Sequence, residues 1–297
     1  MNKYLSNPKL LRSVLLAHFG QFLSDKVYIK LKWYNAMDYP LHLDNPKSFN
    51  EKLQWLKLND RKPIYTQMVD KYGAKIYVSE RLGKNYIIPT LGVWEHVEDI
   101  EWDRLPNRFV LKCTHDSGGL VICQDKSQLD IEKAKRTLNQ SLKFDFYKAG
   151  REWPYKNVPR RIIAEEFMED SEGQELSDYK IHCFNGEPKA ILVCRDRFSA
   201  TGLTEDFYDE KWNHMDVRRP NHPNAAVPME KPEELELMLD LARKLSAGVP
   251  FLRVDFYIVN HHIYFGELTF YPATGMAPFV PEEWDWKLGS WINLEKS

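Results

Sequence analysis

Cysteine is scarce in this chain of 297 residues, and no two of its four cysteines stand at a metal-ligand spacing. Each lies in a short apolar run typical of a strand, such as Phe109–Cys113, which favours reduced, half-buried thiols in a cytoplasmic protein. Long apolar segments are lacking too. The longest near the N-terminus, Val14–Phe19, falls far short of the ~20 residues of a membrane-spanning helix. No small-residue cleavage site follows it, so we expect neither a spanning helix nor a signal peptide.

An excess of charge of either sign is also absent. Lysine and arginine number 41, aspartate and glutamate number 43, and the formal net charge is −2. Nothing therefore indicates the basic surface that binds nucleic acid, and we expect no nucleic-acid partner. The chain has no Walker A loop, no G-x-G-x-x-G fingerprint and no G-x-S-x-G nucleophile elbow. It also lacks the Asp-x-Asp motif that is typical of a glycosyltransferase.

The first 62 residues have helical periodicity. The stretch Ser48–Glu51 is a capping box, which predicts the start of a helix that runs to Leu58. Nearer the N-terminus, an apolar stripe at helical spacing consists of Leu10, Leu11, Val14, Leu15, Phe19 and Phe22. We expect the stripe to pack on the body of the protein. Docking on a membrane enzyme or on a bilayer surface is the alternative.

Beyond this region, predicted strand pairs alternate with helices. The predicted helices are Asp70–Gly83, Ile131–Leu142 and Pro232–Gly248. The predicted strands are Phe109–Cys113, Leu120–Cys123, Ile162–Met168, Tyr179–Phe184, Ala190–Cys194, Phe251–Val259 and Ile263–Thr269. One hairpin contains Asn185-Gly186, which favours a type I′ turn. Strand pairs joined by tight turns and interleaved with helices indicate an α+β fold with antiparallel sheets.

Two acidic residues face each other in the last predicted hairpin. If Asn260–His262 forms its loop, Val259 pairs with Ile263 and Asp255 pairs with Glu267. Facing side chains in an antiparallel pair are about 5 Å apart at Cβ, so two carboxylates there repel each other. A divalent cation between them would remove the repulsion, and Mg²⁺ is usually held by one or two carboxylates together with substrate phosphates.

The acidic pair can also be interpreted without a metal. Both acids could lie on a solvated face, or one could pair with Arg253, which the same register places opposite Thr269. A two-residue loop would shift the pairing by one residue and remove the argument. Apolar neighbours on both sides of each acid favour the metal site.

Two strand lysines and a glycine-containing turn could contact phosphate. Lys112 comes immediately before a turn that contains Ser117, Gly118 and Gly119, and Lys180 lies in a later strand. Lysine binds phosphate as a point charge, and glycines let backbone N–H groups approach phosphate oxygens. Each feature has an ordinary alternative, since turns are often built from serine and glycine and strand lysines can extend from a sheet edge.

In order and spacing, seven motifs over about residues 45–280 resemble those of the ATP-grasp superfamily. More narrowly, they resemble the teichuronopeptide-biosynthesis (TupA-like) ATP-grasp family, which is linked to bacterial surface polysaccharides. The motifs are Asn45–Leu56, Val69–Gly73, Phe109–His115, Ala164–Met168, Asp178–Gly186, Arg253–Tyr257 and Gly266–Pro272. The resemblance implies an ATP-grasp fold, in which two α+β subdomains with antiparallel sheets clasp ATP after a helical N-terminal region.

The resemblance also implies roles for individual residues around ATP. Lys112 would contact the α- and β-phosphates, Lys71 would be an earlier lysine on the nucleotide side, and Lys180 would lie beside the phosphates. The hinge that bonds adenine through its backbone would comprise Glu165, Glu166, Phe167 and Met168. The acidic ribose ligand would be Glu175, with Asp178 as the alternative.

For the metal and the reaction, the resemblance implies a smaller set. Asp255 and Glu267 would bind Mg²⁺, and Arg253 would act with Lys180 on the transferring phosphoryl group. Thr269 stands at a third metal position where the wider superfamily favours asparagine, so the metal geometry can differ here. Thr114 likewise stands where asparagine is expected.

These implications lead to a division of the chain and to a function. The expected division is a helical region at 1–62, a linker or pre-grasp segment at 63–108, a first subdomain at 109–164 and a second subdomain with the metal site at 165–297. The expected function is an ATP- and Mg²⁺-dependent carboxylate–amine ligase that works through an acyl phosphate. Its other partners would be a carboxylate-bearing glycan or sugar precursor, such as a uronic acid of a bacterial surface polysaccharide, and an amino acid or amine.

Three alternatives to the ligase stay open. A phosphotransferase acting on a glycan or small molecule would use the same nucleotide site, a glycosyltransferase would use a nucleotide-sugar donor, and an adaptor would bind nucleotide without catalysis. Whichever function applies, the expected location is the cytoplasm. Peripheral association with polysaccharide machinery at the inner face of the membrane is compatible with it.

Overall fold

A computed structural model of the chain describes residues 7–170, 176–195 and 202–296, and it shows helices around two antiparallel sheets. The helices are α1 Pro8–Phe19, α2 Asp25–Met37, α3 Phe49–Asn59, α4 Ile64–Val69, α5 Lys71–Leu82, α6 Ile131–Lys143, α7 Phe146–Gly150, α8 Leu235–Ser246 and α9 Glu283–Ser290. The strands are β1 Thr90–Trp94, β2 Phe109–Cys113, β3 Val121–Cys123, β4 Ile162–Glu166, β5 Asp178–Phe184, β6 Glu187–Arg195, β7 Thr204–Tyr208, β8 Phe251–Val259 and β9 His262–Thr269. The predicted α+β class is confirmed.

The first sheet has the strand order β1-β4-β2-β3. Side chains alternate between its two faces, as they do in any strand that is half buried. Phe109 and Leu111 of β2 lie on the buried face, where they share a core with Leu138 of α6. Lys112 of β2 lies on the opposite face, so the alternation along this short strand turns a cation towards the inter-sheet cleft.

The second sheet has the order β7-β6-β5-β8-β9, and α8 covers one of its faces. Ile181 of β5 and Val254 of β8 are paired on the covered face, in one core with Met238 of α8. The residues that flank each of them in its strand point to the other face, which carries charged side chains. Lys180 pairs there with Asp255.

Several local predictions are confirmed by the structure. The capping box at Ser48 and Glu51 is present at the start of α3. Asp70 caps α5, where its carboxylate accepts a hydrogen bond from the N–H of Tyr72 at 3.2 Å. Asn185 and Gly186 have φ values of 52° and 88°, as a type I′ turn requires. All four cysteines are free, and they are buried rather than half-buried.

The loop of the β8–β9 hairpin differs from the prediction. It has two residues, Asn260 and His261, with φ values of 50° and 59°, so Val259 pairs with His262 instead of Ile263. The shift does not reach the acidic pair, because a bulge at Gly266 inserts one residue into β9 and restores the register. Asp255 therefore lies opposite Glu267, as predicted, although the predicted three-residue loop was wrong.

The apolar stripe near the N-terminus does not pack on the body of the protein. Helix α1 buries none of its residues, and Phe19 and Phe22 are 55% and 79% exposed. The expectation of packing was therefore wrong. Within the part of the chain that the structure describes, no helix combines the length and the apolar character that crossing a bilayer needs.

The first sheet extends beyond the boundaries that the expected division gives to the first subdomain, 109–164. Strand β1, which falls in the segment 63–108, is an edge strand of the first sheet, and β4 continues to Glu166. The division therefore remains a proposal, in which β1 and all of β4 are best grouped with the first sheet.

Candidate functional site

A large cleft of about 1130 Å³ lies between the two sheets. One wall comes from the first sheet and α6, and the other includes Asp178 and Tyr257 of the second sheet. Apolar residues dominate one part, with Phe167 and Met168 just after β4, and Lys112 and Glu165 add charge. This volume and mixture of apolar and charged walls suit a nucleotide-sized ligand.

Glu165 joins two lysines at the cleft. Its carboxylate lies 2.6 Å from the Nζ of Lys112 and 2.5 Å from the Nζ of Lys75, which also donates to the carbonyl of Ile88 at 2.6 Å. Burial opposes the ionisation of Glu165, but the two ammonium groups hold the pKa of its carboxyl below the ordinary value. The arrangement keeps two cations and one anion together at the cleft.

A row of charged residues crosses β5, β8 and β9 on the open face of the second sheet. We call it the charged row, and it consists of Asp178, Lys180, Asp255, Arg253, Glu267 and Thr269. Lys180 bonds to Asp178 and, at 2.8 Å, to Asp255. Arg253 forms two 2.7 Å bonds to Asp255 and one 2.6 Å bond to Glu267. The Thr269 hydroxyl donates to Glu267 at 3.0 Å.

Burial and pairing set the protonation states in this row. Asp255 is 1% exposed, which disfavours its charged form, but Arg253 and Lys180 lower the pKa of its carboxyl below the ordinary value. Burial and the neighbouring Asp255 raise the pKa of Asp178. Burial, together with Arg253 and Arg219, holds the pKa of His182 well below its usual value, so this histidine is neutral near pH 7.

A second, smaller cavity of about 270 Å³ lies on the other side of the charged row, and we call it the small cavity. Arg253, Glu267 and Thr269 line it on the side of the row. Its remaining polar walls come from Lys71, Asp116, Ser117, Glu152, Tyr155 and Thr274. The charged row thus stands between a nucleotide-sized cleft and a cavity that fits a smaller group.

The charged row fits a magnesium ion that is shared with a nucleotide. Asp255 and Glu267 face each other and offer the hard oxygen ligands that Mg²⁺ prefers. Over residues 7–170, 176–195 and 202–296 the structure holds no group of three or more His, Cys, Asp or Glu side chains that could bind a metal. The donor set therefore suits an ion completed by phosphate oxygens rather than an ion held by protein alone.

A family model for TupA-like ATP-grasp proteins matches residues 51–293. The chain belongs to the TupA-like ATP-grasp family. Its two antiparallel sheets are those of an ATP-grasp fold. Among curated proteins we found no match.

Several solved ATP-grasp ligase structures are similar to this TupA-like protein. D-alanine–D-alanine ligase from Bacillus anthracis, complexed with ATP, is 15% identical with a TM-score of 0.40, over 68% of this chain and 53% of that one. The Helicobacter pylori D-alanine–D-alanine ligase is 14% identical with a TM-score of 0.41, over 84% and 70%. The ATP-grasp ligase PsnB, complexed with a precursor variant, Mg and ADP, is 9% identical with a TM-score of 0.41, over 74% and 57%. The chain thus spans little more than half the length of the Bacillus anthracis enzyme and of PsnB.

The structure brings most of the site residues predicted for this TupA-like protein into two groups. The residues at the large cleft are Lys112, Glu165, Glu166, Phe167, Met168 and Asp178. The residues in or beside the small cavity are Lys71, Ser117, Arg253, Glu267 and Thr269. Lys180 and Asp255 connect the two groups through the charged row. Glu175 lies outside the described residues.

Only part of the turn after β2 lines a cavity. Ser117 lines the small cavity, whereas Gly118 and Gly119 are not among the residues that line either cavity. Gly119 has a φ of 59°, and a Cβ there would come within 2.3 Å of the Ser141 hydroxyl. Glycine is therefore required at position 119 by packing as well as by backbone conformation.

Sequence reasoning missed two residues in this TupA-like protein. Lys75 occupies the place beside Glu165 and Lys112, whereas Lys71, one turn earlier on α5, lines the small cavity and donates to the Cys113 carbonyl at 2.9 Å. The i, i+4 spacing of the two lysines on a predicted helix was the available signal. Glu152 of the small cavity had no signal, because it lies in a connecting segment after α7.

Proposed function

We propose that this protein is an ATP- and Mg²⁺-dependent carboxylate–amine ligase. The observation that carries the proposal is the charged row, which lies between a nucleotide-sized cleft and a smaller cavity with cations on its wall. A phosphoryl group leaving ATP in the cleft would reach an acceptor in the small cavity across Arg253 and Glu267. This proposal places phosphoryl transfer at the row.

The proposed reaction has two steps. A carboxylate oxygen of the acceptor attacks the γ-phosphorus of ATP, the bond from that phosphorus to the bridging oxygen breaks, and an acyl phosphate and ADP result. An amine nitrogen then attacks the acyl carbon, the carbon–oxygen bond to phosphate breaks, and an amide, phosphate and a proton are released. Neither step requires a covalent bond to the protein.

The side chains of the charged row would stabilise the charge that moves in the first step. Lys180 and Arg253 would neutralise the transferring phosphoryl oxygens, and Lys112 would hold the phosphates that stay on ADP. Asp255 and Glu267 would hold Mg²⁺, with Thr269 orienting Glu267 through its hydroxyl. The bound ion supplies further positive charge at the phosphates.

We propose that the acceptor is a uronic acid of a bacterial surface polysaccharide or of its precursor, and that the other substrate is an amino acid or amine. The resemblance to teichuronopeptide-biosynthesis proteins supports this choice. The small cavity also supports it, because about 270 Å³ suits small substrate groups, and Lys71 and Arg253 on its wall suit a carboxylate.

We further propose that the enzyme works in the cytoplasm, at the inner face of the membrane. Large apolar side chains are exposed on α1, α2 and the turn between them, and they are Val14, Leu15, Phe19, Phe22, Val27, Leu31 and Tyr34. Lys26 and Lys30 are exposed on α2 beside them. Basic and apolar residues together suit an anionic bilayer.

Sedimentation with phosphatidylglycerol vesicles tests the membrane proposal. Sedimentation should be lost in the double variant Phe19→Ser/Phe22→Ser and unchanged in the control Ile76→Ser. Equal sedimentation of wild type, the double variant and the control would contradict the proposal.

The test of the ligase is Mg-ATP turnover with D-glucuronic acid and D-galacturonic acid oligosaccharides. ADP release should depend on the uronic acid and on an amine mixture, and hydroxylamine should trap the acyl phosphate as a hydroxamate. Glu267→Gln should lower ADP release at least about 100-fold, since it removes one metal-binding charge. Glu132→Gln, at an exposed site on α6, should leave ADP release unchanged.

Three results would contradict the ligase. Phosphate retained on the glycan, with no amine requirement, would identify a phosphotransferase. Transfer from a nucleotide sugar would identify a glycosyltransferase. Nucleotide binding without turnover on any acceptor would favour an adaptor.

A further inference from the structure

The small cavity differs from the large cleft in what lies at its far side. Towards the charged row it is bounded by Arg253, Glu267 and Thr269, and away from the row it is bounded by Glu152. Tyr155 lines the same cavity, and burial, followed by the charges of Glu152 and Glu267, raises the pKa of its hydroxyl. One enclosed space thus contains the place where the acyl phosphate would form and a second carboxylate.

Glu152 is buried without an ion pair among the described residues. It is 5% exposed, and no lysine or arginine nitrogen of the residues that the structure describes lies within 4.0 Å of its carboxylate. Burial raises the pKa of Glu152, and the nearby charge of Lys57 opposes that rise. The neighbouring Thr274 hydroxyl also lowers the pKa of its carboxyl. A carboxylate in this setting is suited to binding a cation and to taking a proton.

Lys57, which does not line the small cavity, fixes the backbone and side chain next to Glu152. Lys57 of α3 is 0% exposed and donates to the Thr274 carbonyl at 2.7 Å, to the Thr274 hydroxyl at 3.0 Å and to the Gly150 carbonyl at 3.2 Å. Ala273 and Thr274 have φ values of 48° and 54°, a conformation that costs non-glycine residues free energy and persists where surrounding contacts impose it. These contacts hold the Thr274 hydroxyl against Glu152.

We propose that Glu152 binds the ammonium group of the amine substrate in the small cavity and accepts its proton as the nitrogen attacks the acyl phosphate. This inference rests on the proposed ligase function. In the second step the ammonium group gives one proton to the Glu152 carboxylate, and the freed nitrogen lone pair attacks the acyl carbon. The nitrogen–carbon bond forms, the carbon–oxygen bond to phosphate breaks, and the second proton passes from nitrogen to the departing phosphate. Lys57 and Thr274 are positioning residues, because they act on the amine through Glu152.

Comparing two kinds of nucleophile tests the proton-accepting role of Glu152 separately from the formation of the acyl phosphate. Hydroxylamine is largely unprotonated near neutral pH and needs no base, whereas glycine and ethanolamine are protonated and need one. With a uronic acid and Mg-ATP, Glu152→Gln should still form hydroxamate within about 3-fold of wild type, and amide formation should fall at least about 100-fold. The exposed-site variant Glu132→Gln should match wild type with both nucleophiles.

The support for Glu152 has its own test. Thr274→Val removes the hydroxyl and should raise KM for the amine at least about 10-fold with little change in hydroxamate formation, and Thr274→Ser should restore the wild-type KM. Equal loss of hydroxamate and amide in Glu152→Gln would overturn the role of Glu152. Unchanged ADP affinity in each variant shows that the variant is folded.

A binding measurement keeps this inference separate from the ligase proposal. Saturation-transfer NMR with glycine and ethanolamine should show contact with wild type in the presence of ADP and Mg²⁺, and the signal should fall at least about 5-fold in Glu152→Gln. Absence of uronic-acid-dependent ADP release in wild type would count against the ligase alone. Equal amine signals in wild type and Glu152→Gln would overturn the inference.

Discussion

Lys75, Glu165 and Lys112 form a group in which each charge depends on the others. If Lys75 is replaced by methionine, Glu165 keeps only Lys112 as a counter-charge, and Lys112 is then held by the carboxylate instead of being shared with phosphate. We expect Lys75→Met to weaken ADP binding at least about 10-fold by calorimetry. Lys84→Met, at an exposed site just after α5, should bind ADP as wild type does. Equal affinity of the two variants would contradict a nucleotide-side role for Lys75.

Glu165 should also make stability depend on pH. Its pKa in the folded protein lies below the ordinary value of 4.5, so the stabilisation is complete above about pH 4.5 and is lost as the pH falls through the lowered value. Glu165→Gln should lower the free energy of unfolding by about 2 kcal/mol at pH 7. Urea unfolding should show that the difference from wild type shrinks below pH 4.5. A difference that is constant from pH 3 to pH 7 would show that the charge is not involved.

At the residue scale, local sequence patterns predicted side chains on strands, such as Lys112, better than side chains whose position depends on tertiary packing. Lys112 was predicted from its place in a strand before a turn, and it does lie at the large cleft. Lys71 and Lys75 share one side of α5, and the choice between them depends on how that helix packs, which no local pattern encodes. Glu152 was invisible because its role depends on Thr274 and Lys57, which are distant in sequence.

The β8–β9 hairpin is the element that places Asp255 opposite Glu267. A two-residue type I′ turn matches the twist of its strands, and one bulge residue in β9 then returns Glu267 to the face of Asp255. The prediction of the pair was right because one three-residue loop and one two-residue loop plus a bulge give the same register. Periodicity cannot distinguish these two cases, since both place the same residues on the open face.

Gly266 is the bulge residue, and it has little room for a side chain. A Cβ at this position would lie 3.0 Å from the ring of Tyr257 and 3.1 Å from the carbonyl oxygen of Asp255. Gly266→Ala should therefore displace Glu267 from Asp255 and lower Mg-ATP turnover about 10-fold. ADP binding in EDTA should fall much less than turnover, because Gly266 lines the small cavity and meets the large cleft only through the ring of Tyr257. Loss of ADP binding in EDTA as well would show a general folding defect.

On the scale of the whole molecule, Arg253 already supplies positive charge between Asp255 and Glu267, the two carboxylates proposed to bind Mg²⁺. The described residues offer the ion no third acidic ligand. We therefore expect Mg²⁺ alone at millimolar concentration to leave the melting temperature unchanged, and Mg²⁺ with ATP to stabilise more than ATP alone. At 100 times Kd the nucleotide complex should gain about 2.7 kcal/mol. Stabilisation by Mg²⁺ alone would contradict a site shared with nucleotide.

Most of the strands and helices could be predicted because strands, turns and helix caps are local signals, whereas the arrangement in two subdomains followed from the resemblance to ATP-grasp proteins. The small cavity could not be predicted, because it is assembled from α4, α5, the turn after β2, α7 and the segment after it, β8, β9 and the turn after β9. Those pieces meet only through tertiary packing. The apolar stripe of α1 shows the same limit, since its periodicity predicts a helix and does not say what covers it.

Helix α3 braces the turn after β9 from outside both sheets. Gln54 donates to the Gly275 carbonyl at 2.6 Å, and Lys57 donates to the Thr274 carbonyl at 2.7 Å. Substitutions in α3 and in this turn can reshape the small cavity while the strands that form the large cleft keep their sequence. Relatives of this protein could thus acquire different substrates during evolution while the proposed nucleotide site stays unchanged.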